Sequence, residues 1–136
     1  MRIAGLEKFS TVDFPGSLAA VVFAAGCNYR CFYCHNRAIL NCPPLLSEAE
    51  VFAFLEKRAG LLDGVVFSGG EPALQSDLPQ WLARVRALGY RTKLDTNGSR
   101  KHSARCSMRS FSTMWPWITK RRLIATLRFA ARIPQA

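Results

Sequence analysis

The chain has 136 residues, of which 49% are apolar, a formal net charge of +10 and five cysteines. That length suits one domain that folds without disulfides, and it excludes a complete eight-unit α/β barrel, which takes about 250 residues. The longest apolar run, Leu18 to Gly26, is far shorter than the roughly 20 residues of a membrane helix; with no apolar secretory segment at the N-terminus, a soluble cytoplasmic protein is expected.

The charge switches at one point. Residues 1–98 carry ten Lys/Arg against nine Asp/Glu, and residues 99–136 carry nine Lys/Arg and no acid. The basic balance is therefore a property of the tail. Two segments are expected, a core over 1–98 and an aberrant basic tail over 99–136.

In chain order, Ile3 to Phe9 is read as a short edge strand. Thr11 to Gly16 is read as a turn, because Pro15-Gly16 sets up a reversal. Leu18 to Ala25 is continuously apolar and rich in Val, as in a strand of a parallel sheet buried on both faces. The cysteines follow at once. Asn41-Cys42-Pro43-Pro44 is read as a linker. Ser47 and Glu50 have capping-box spacing, and Val51, Phe52, Phe54 and Leu55 form the apolar face of a helix ending near Gly60. Val65 to Phe67 is a second buried strand running into Ser68-Gly69-Gly70-Glu71-Pro72. Leu78 to Leu88 is a second helix, closed by Gly89. Tyr90 to Leu94 is a third strand, ending in Asp95-Thr96-Asn97-Gly98. Alternating strands and helices predict an α/β fold of parallel βα units. Each unusual motif falls just after a strand, where such folds bind ligands.

Cys27, Cys31 and Cys34 stand as C-x3-C-x2-C on one short loop. Three thiolates this close suit one soft metal centre. A [4Fe–4S] cluster held by three cysteines keeps one iron open to a substrate or cofactor. The alternatives are a Cys3His zinc site completed by His35, or unligated thiols. Cys42 and Cys106 are isolated and are read as ordinary thiols, with Cys42 a weak candidate for a fourth ligand.

The string Gly26-Cys27 through Cys34-His35-Asn36 resembles the signature of the radical S-adenosylmethionine (radical SAM) superfamily. Within it, the string is similar to that of the proteins that activate anaerobic ribonucleoside-triphosphate reductase and related glycyl-radical enzymes. Ser68 to Pro72 resembles that family's GGE motif and Leu94 to Gly98 its DTNG motif. The resemblance covers residues 1–98. It implies a partial (βα) barrel, truncated after about three βα units. It implies that Cys27, Cys31 and Cys34 hold a [4Fe–4S] cluster whose open iron chelates S-adenosylmethionine. An electron from the cluster would then cleave the cofactor to a 5′-deoxyadenosyl radical, and cofactor and cluster carry that chemistry while the protein positions them.

Carried over by position, Tyr33 would lie near the adenine, and Gly69 and Gly70 would let the backbone approach the methionine moiety. Glu71 or the glycine carbonyls would accept from its ammonium group. Asp95 and Asn97 would contact the cofactor or a cation, and His35 would be a local hydrogen-bonding group. The implied partners are a glycyl-radical enzyme, first of all anaerobic ribonucleotide reductase, and a flavodoxin- or ferredoxin-like electron donor. The alternatives are activation of a formate-lyase-like enzyme or, from another class, a zinc-stabilised basic module that binds nucleic acid. Neither a membrane nor, on the leading reading, nucleic acid is expected as a partner.

Family members of this type continue with a strand similar to Tyr-Val-Ala-Met-Asp. Thr113 to Thr119, read one base out of frame, is compatible with it. A frameshift near Ser99 would account together for the missing acids, the lost periodicity and the early stop. It would also leave an open sheet edge, low stability and weak or absent turnover.

Overall fold

The structure is a computed structural model that describes residues 1–98. The basic tail, Cys106 and the Trp115-Pro116-Trp117 stretch lie outside the described residues. Four strands form one sheet in the order β1-β2-β3-β4. They are β1 (Ile3–Ser10), β2 (Ala19–Ala24), β3 (Gly64–Gly69) and β4 (Arg91–Leu94), with helix α1 (Glu48–Lys57) between β2 and β3 and helix α2 (Leu78–Ala87) between β3 and β4. β2, β3 and β4 are parallel. The two βα crossovers are those expected from the alternation of patterns, and the described sheet is open, a partial (βα) arrangement.

β1 lies at one edge and runs antiparallel to β2. The short connection explains this: Ser10 to Ser17 is long enough for a hairpin and too short for a crossover helix. Ser10 Oγ accepts from the Val12 and Asp13 N–H groups at 3.2 Å, and the Ser17 N–H donates to the Phe14 carbonyl at 3.0 Å. The expected turn is therefore present. What the sequence did not announce is that Phe14 folds back under the sheet and is buried.

The continuous apolar run in β2 is buried on both faces. Ala20 and Val22 face the helices, with Val65 and Phe67 of β3, Val51, Phe52 and Leu55 of α1, and Leu78, Trp81, Leu82 and Val85 of α2. Trp81 meets Phe52 at a tilt, ring centroids 4.7 Å apart, and Phe67 edge-on at 6.4 Å. On the other face, Ala19, Val21 and Val66 pack with Phe14. Gly64 has room for that ring only because it lacks a side chain; a Cβ there would stand 2.7 Å from Phe14 Cε1.

Helix α1 starts where the capping box placed it. Ser47 Oγ accepts from the Glu50 N–H at 3.3 Å, and Glu50 Oε2 accepts from the Ser47 N–H at 2.7 Å. α1 ends at Lys57, one turn before Gly60, and β4 starts at Arg91 rather than Tyr90. Tyr90 instead turns inward, is buried, and donates its hydroxyl to the Leu55 carbonyl at 2.6 Å.

The hydrogen bonds from the Ser47 side chain and backbone hold the Glu50 carboxyl below its ordinary 4.5. A depressed carboxyl stabilises the fold above its unfolded value and loses that contribution as pH falls through the folded one. Ser47→Ala is expected to cost about 1 kcal/mol at neutral pH. The difference from the parent chain should shrink on moving from about pH 6 to about pH 3. Urea unfolding of both chains at the two pH values checks it; a cost that does not change with pH contradicts any share of the Ser47 hydroxyl's bond to the Glu50 carboxyl in it.

Among the described residues, no helix is long and apolar enough to cross a membrane.

Candidate cluster and cofactor site

Parallel strands send all their following loops to one end of the sheet, and the three motif loops meet there. The loop after β2 carries the cysteines. The loop after β3 carries Gly69 to Pro72, and the loop after β4 carries Asp95 to Gly98. Backbone bonds join the first two: the Gly70 N–H donates to the Ala24 carbonyl at 2.9 Å, and the Glu71 N–H to the Gly26 carbonyl at 2.8 Å.

The glycines of the GGE motif are needed by this junction. A Cβ on Gly69 would stand 2.7 Å from both Ala24 N and Ala24 O, and one on Gly70 only 2.0 Å from the Gly26 carbonyl oxygen. Gly69 also has φ of +106°, where a side chain is strained. The family resemblance implies that both glycines serve the close approach of a cofactor. The structure supplies a further cause, the end of β2 and the first residue of the cysteine loop.

Glu71 is completely buried. Its Oε1 accepts from the Ala73 N–H at 2.9 Å and the Thr96 hydroxyl at 2.7 Å, and its Oε2 accepts from the Asn97 N–H at 2.6 Å. The carboxylate thus caps the short helical turn Pro72–Leu74 and ties the GGE loop to the loop after β4. A buried carboxylate needs such a set of donors. Thr96, to which the DTNG resemblance gives no role of its own, is one of them.

Asp95 is half-buried and pairs with Lys93 Nζ at 2.6 Å; its N–H donates to the Phe67 carbonyl at 2.9 Å. The Asn97 side chain donates to Asn28 Oδ1 at 2.7 Å. Gln75, unremarked in the sequence, accepts from the Arg2 N–H and donates to the Ala25 carbonyl, each at 3.0 Å. It fixes the end of β2 just before the first cysteine.

Cys27, Cys31 and Cys34 are half-buried and free. The Cys34 N–H donates to the Cys31 carbonyl at 3.1 Å, and Arg37 Nη2 donates to the Phe32 carbonyl at 2.5 Å. Tyr33 is exposed and meets Phe32 edge-on at 5.1 Å. Desolvation raises its phenol above the ordinary range, with smaller contributions from Cys31 and Cys34. His35 is exposed. Cys42 donates its thiol to the Ile39 carbonyl at 3.5 Å, among local backbone.

Among the described residues, no three His, Cys, Asp or Glu side chains stand gathered as they would around a metal ion. The fit to an iron–sulfur cluster lies in the donor set. Three reduced thiols share one loop of eight residues, partly open to solvent, with no disulfide among them. Soft thiolates suit iron–sulfur clusters, and three of them leave one iron of four without a protein ligand.

Comparison with known proteins agrees with this chemistry. The chain is 37% identical over 99 residues to a Methanocaldococcus jannaschii protein provisionally named as a glycyl-radical enzyme activating enzyme, covering 71% of this chain and 40% of that one. It is 35% identical over 106 residues to the pyruvate formate-lyase 1-activating enzyme of Escherichia coli K12, covering 71% and 42%. A 7-carboxy-7-deazaguanine synthase of Halobacterium salinarum is 30% identical over 118 residues, covering 78% and 43%. The chain spans about two fifths of the length of these relatives. The family model described as the radical SAM superfamily matches residues 21–107 and so takes in all three motif loops. With well over half of its length inside that match, this chain belongs to the radical SAM superfamily.

Proposed function

We propose that this chain is the cluster-bearing part of a protein that activates a glycyl-radical enzyme. The observation that carries the proposal is the meeting of the three motif loops at one end of the parallel strands, with three free thiols on the first of them. Members of the superfamily use a [4Fe–4S] cluster and S-adenosylmethionine. Cys27, Cys31 and Cys34 would hold the cluster here. When bound, the pair supplies one-electron cleavage of the sulfonium, with a 5′-deoxyadenosyl radical as the product.

The chain's own residues bind and position. The Gly69–Gly70 backbone would receive the methionine part of the cofactor, and Asp95 and Asn97 would contact the cofactor or a cation. Glu71, with its oxygens taken up by Ala73, Thr96 and Asn97, acts by holding those two loops together. Tyr33 would flank the adenine, and His35 would serve as a local hydrogen-bonding group. A flavodoxin- or ferredoxin-like protein would supply the electron.

Two partner enzymes come into question. The cysteine string points to anaerobic ribonucleotide reductase, whereas a named relative acts on pyruvate formate-lyase. Residues 1–98 form the core on this proposal, and 99–136 are the product of a shifted reading frame. Resequencing the gene tests that part; an unshifted reading with no alternative frame similar to the family removes it.

The function is tested on the full chain, reconstituted anaerobically with iron and sulfide and then reduced. The expected result is an electron paramagnetic resonance (EPR) spectrum that changes on adding S-adenosylmethionine, with slow release of 5′-deoxyadenosine. A reduced cluster whose spectrum ignores S-adenosylmethionine contradicts the proposal. A glycyl-radical doublet on added formate-lyase or on added ribonucleotide reductase then identifies the partner.

A further inference from the structure

Two asparagines stand near the two ends of the cysteine string. Asn28 follows Cys27, and Asn36 stands two residues after Cys34. Each reaches a different motif loop. Asn28 Oδ1 accepts from Asn97 Nδ2, in the loop after β4, at 2.7 Å. Asn36 Nδ2 donates to the Gly69 carbonyl, at the end of β3, at 3.2 Å. Asn97 is itself fixed by the buried Glu71 carboxylate, and Gly69 is part of β3, so both anchors are on rigid ground. The Cys27 sulfur lies between these features, accepting from the Tyr29 N–H at 3.4 Å and standing 3.9 Å from Asn28 Oδ1.

We propose that Asn28 and Asn36 are positioning residues that fasten the two ends of the cysteine loop to the loops after β4 and β3. The inference rests on the function proposed above and adds what fixes the distance between cluster ligands and cofactor loops. A site held loosely by its supporting groups loses binding even when every ligand is present. The two asparagines use opposite chemistry, since Asn28 acts as an acceptor and Asn36 as a donor. An aspartate can accept and cannot donate when ionised. The same change should therefore be milder at Asn28 than at Asn36.

The test uses the full chain, reconstituted anaerobically, as Asn28→Asp, Asn28→Leu and Asn36→Asp variants beside the parent. Iron per chain is measured first, and S-adenosylmethionine is then titrated against the EPR spectrum of the reduced cluster. Asn28→Leu and Asn36→Asp are expected to keep their iron and bind S-adenosylmethionine about fivefold to tenfold more weakly, the effect of one lost hydrogen bond. Asn28→Asp keeps the acceptor, although it brings a charge 3.9 Å from the Cys27 sulfur, and should lose less affinity than Asn28→Leu. All three variants binding like the parent, or Asn28→Asp weakened as much as Asn28→Leu, overturns the proposal.

Amide hydrogen exchange on the metal-free chain separates this inference from the function it rests on. Faster exchange over residues 27–34 in Asn28→Leu and Asn36→Asp, with a smaller change in Asn28→Asp, supports the fastening even if the parent chain takes up no iron. Equal exchange in all four chains refutes it.

Discussion

Gly70→Ala is expected to abolish tight S-adenosylmethionine binding and to destabilise the chain by about 2–4 kcal/mol. The added Cβ would stand 2.0 Å from the Gly26 carbonyl oxygen and 2.7 Å from its carbon. Both are backbone atoms, so no side chain can swing aside to make room. The cysteine loop and the GGE loop must separate, with loss of the Glu71 N–H to Gly26 bond and strain on the Gly70 N–H to Ala24 bond. Gly26 directly precedes Cys27, so the displacement reaches the first thiol. The useful control is Gly60→Ala. Gly60 also has a positive φ, +80°, but an added Cβ there meets nothing within 4 Å. It should cost about 1 kcal/mol of backbone strain and leave the site untouched. Urea unfolding, with a cofactor titration of the reconstituted chains, measures both. Equal effects of the two substitutions contradict the close-approach explanation of Gly70.

Much of the fold could be read from local pattern because local forces set it. The run from Leu18 to Ala25 could be buried only on two faces, and β2 is so buried. Ser47 and Glu50 lie three residues apart, within reach of one another in any helix that starts there, and the capping box formed. The errors at element ends have local causes as well. Tyr90 has a strand former's side chain, but its hydroxyl finds the Leu55 carbonyl and its ring the helix-side core, so β4 begins one residue later.

What could not be read depends on contacts between distant segments. Phe14 is adjacent to Pro15-Gly16, and a turn reading says nothing of the ring's destination beneath Gly64, fifty residues on. The motifs gave the positions of Glu71, Asp95 and Asn97. Motif spacing carries no information about the bond from Thr96 to Glu71, or about Lys93 occupying Asp95. Asn28 and Asn36 belong to the cysteine string, and nothing in the sequence gives either side chain a role of its own. Their side chains acquire a function only when the loops after β3 and β4 arrive beside them.

Cys31→Ala tests the central claim, that three thiols on one loop hold a [4Fe–4S] cluster. Cys31 is the middle ligand of the proposed set. The backbone bonds of its part of the loop do not use the thiol: the Cys31 carbonyl accepts from the Cys34 N–H, and the Phe32 carbonyl accepts from Arg37. Losing the thiol leaves those bonds in place, and the residue is only half-buried, so the variant should keep the parent's stability within about 0.5 kcal/mol. With two local ligands left, a four-iron cluster is no longer held.

The measurement is iron and zinc per chain after strictly anaerobic reconstitution of the parent chain and Cys31→Ala. The account predicts about four irons per parent chain, falling below about one in the variant. About one zinc and no iron in the parent, or an iron content that Cys31→Ala leaves unchanged, would contradict it.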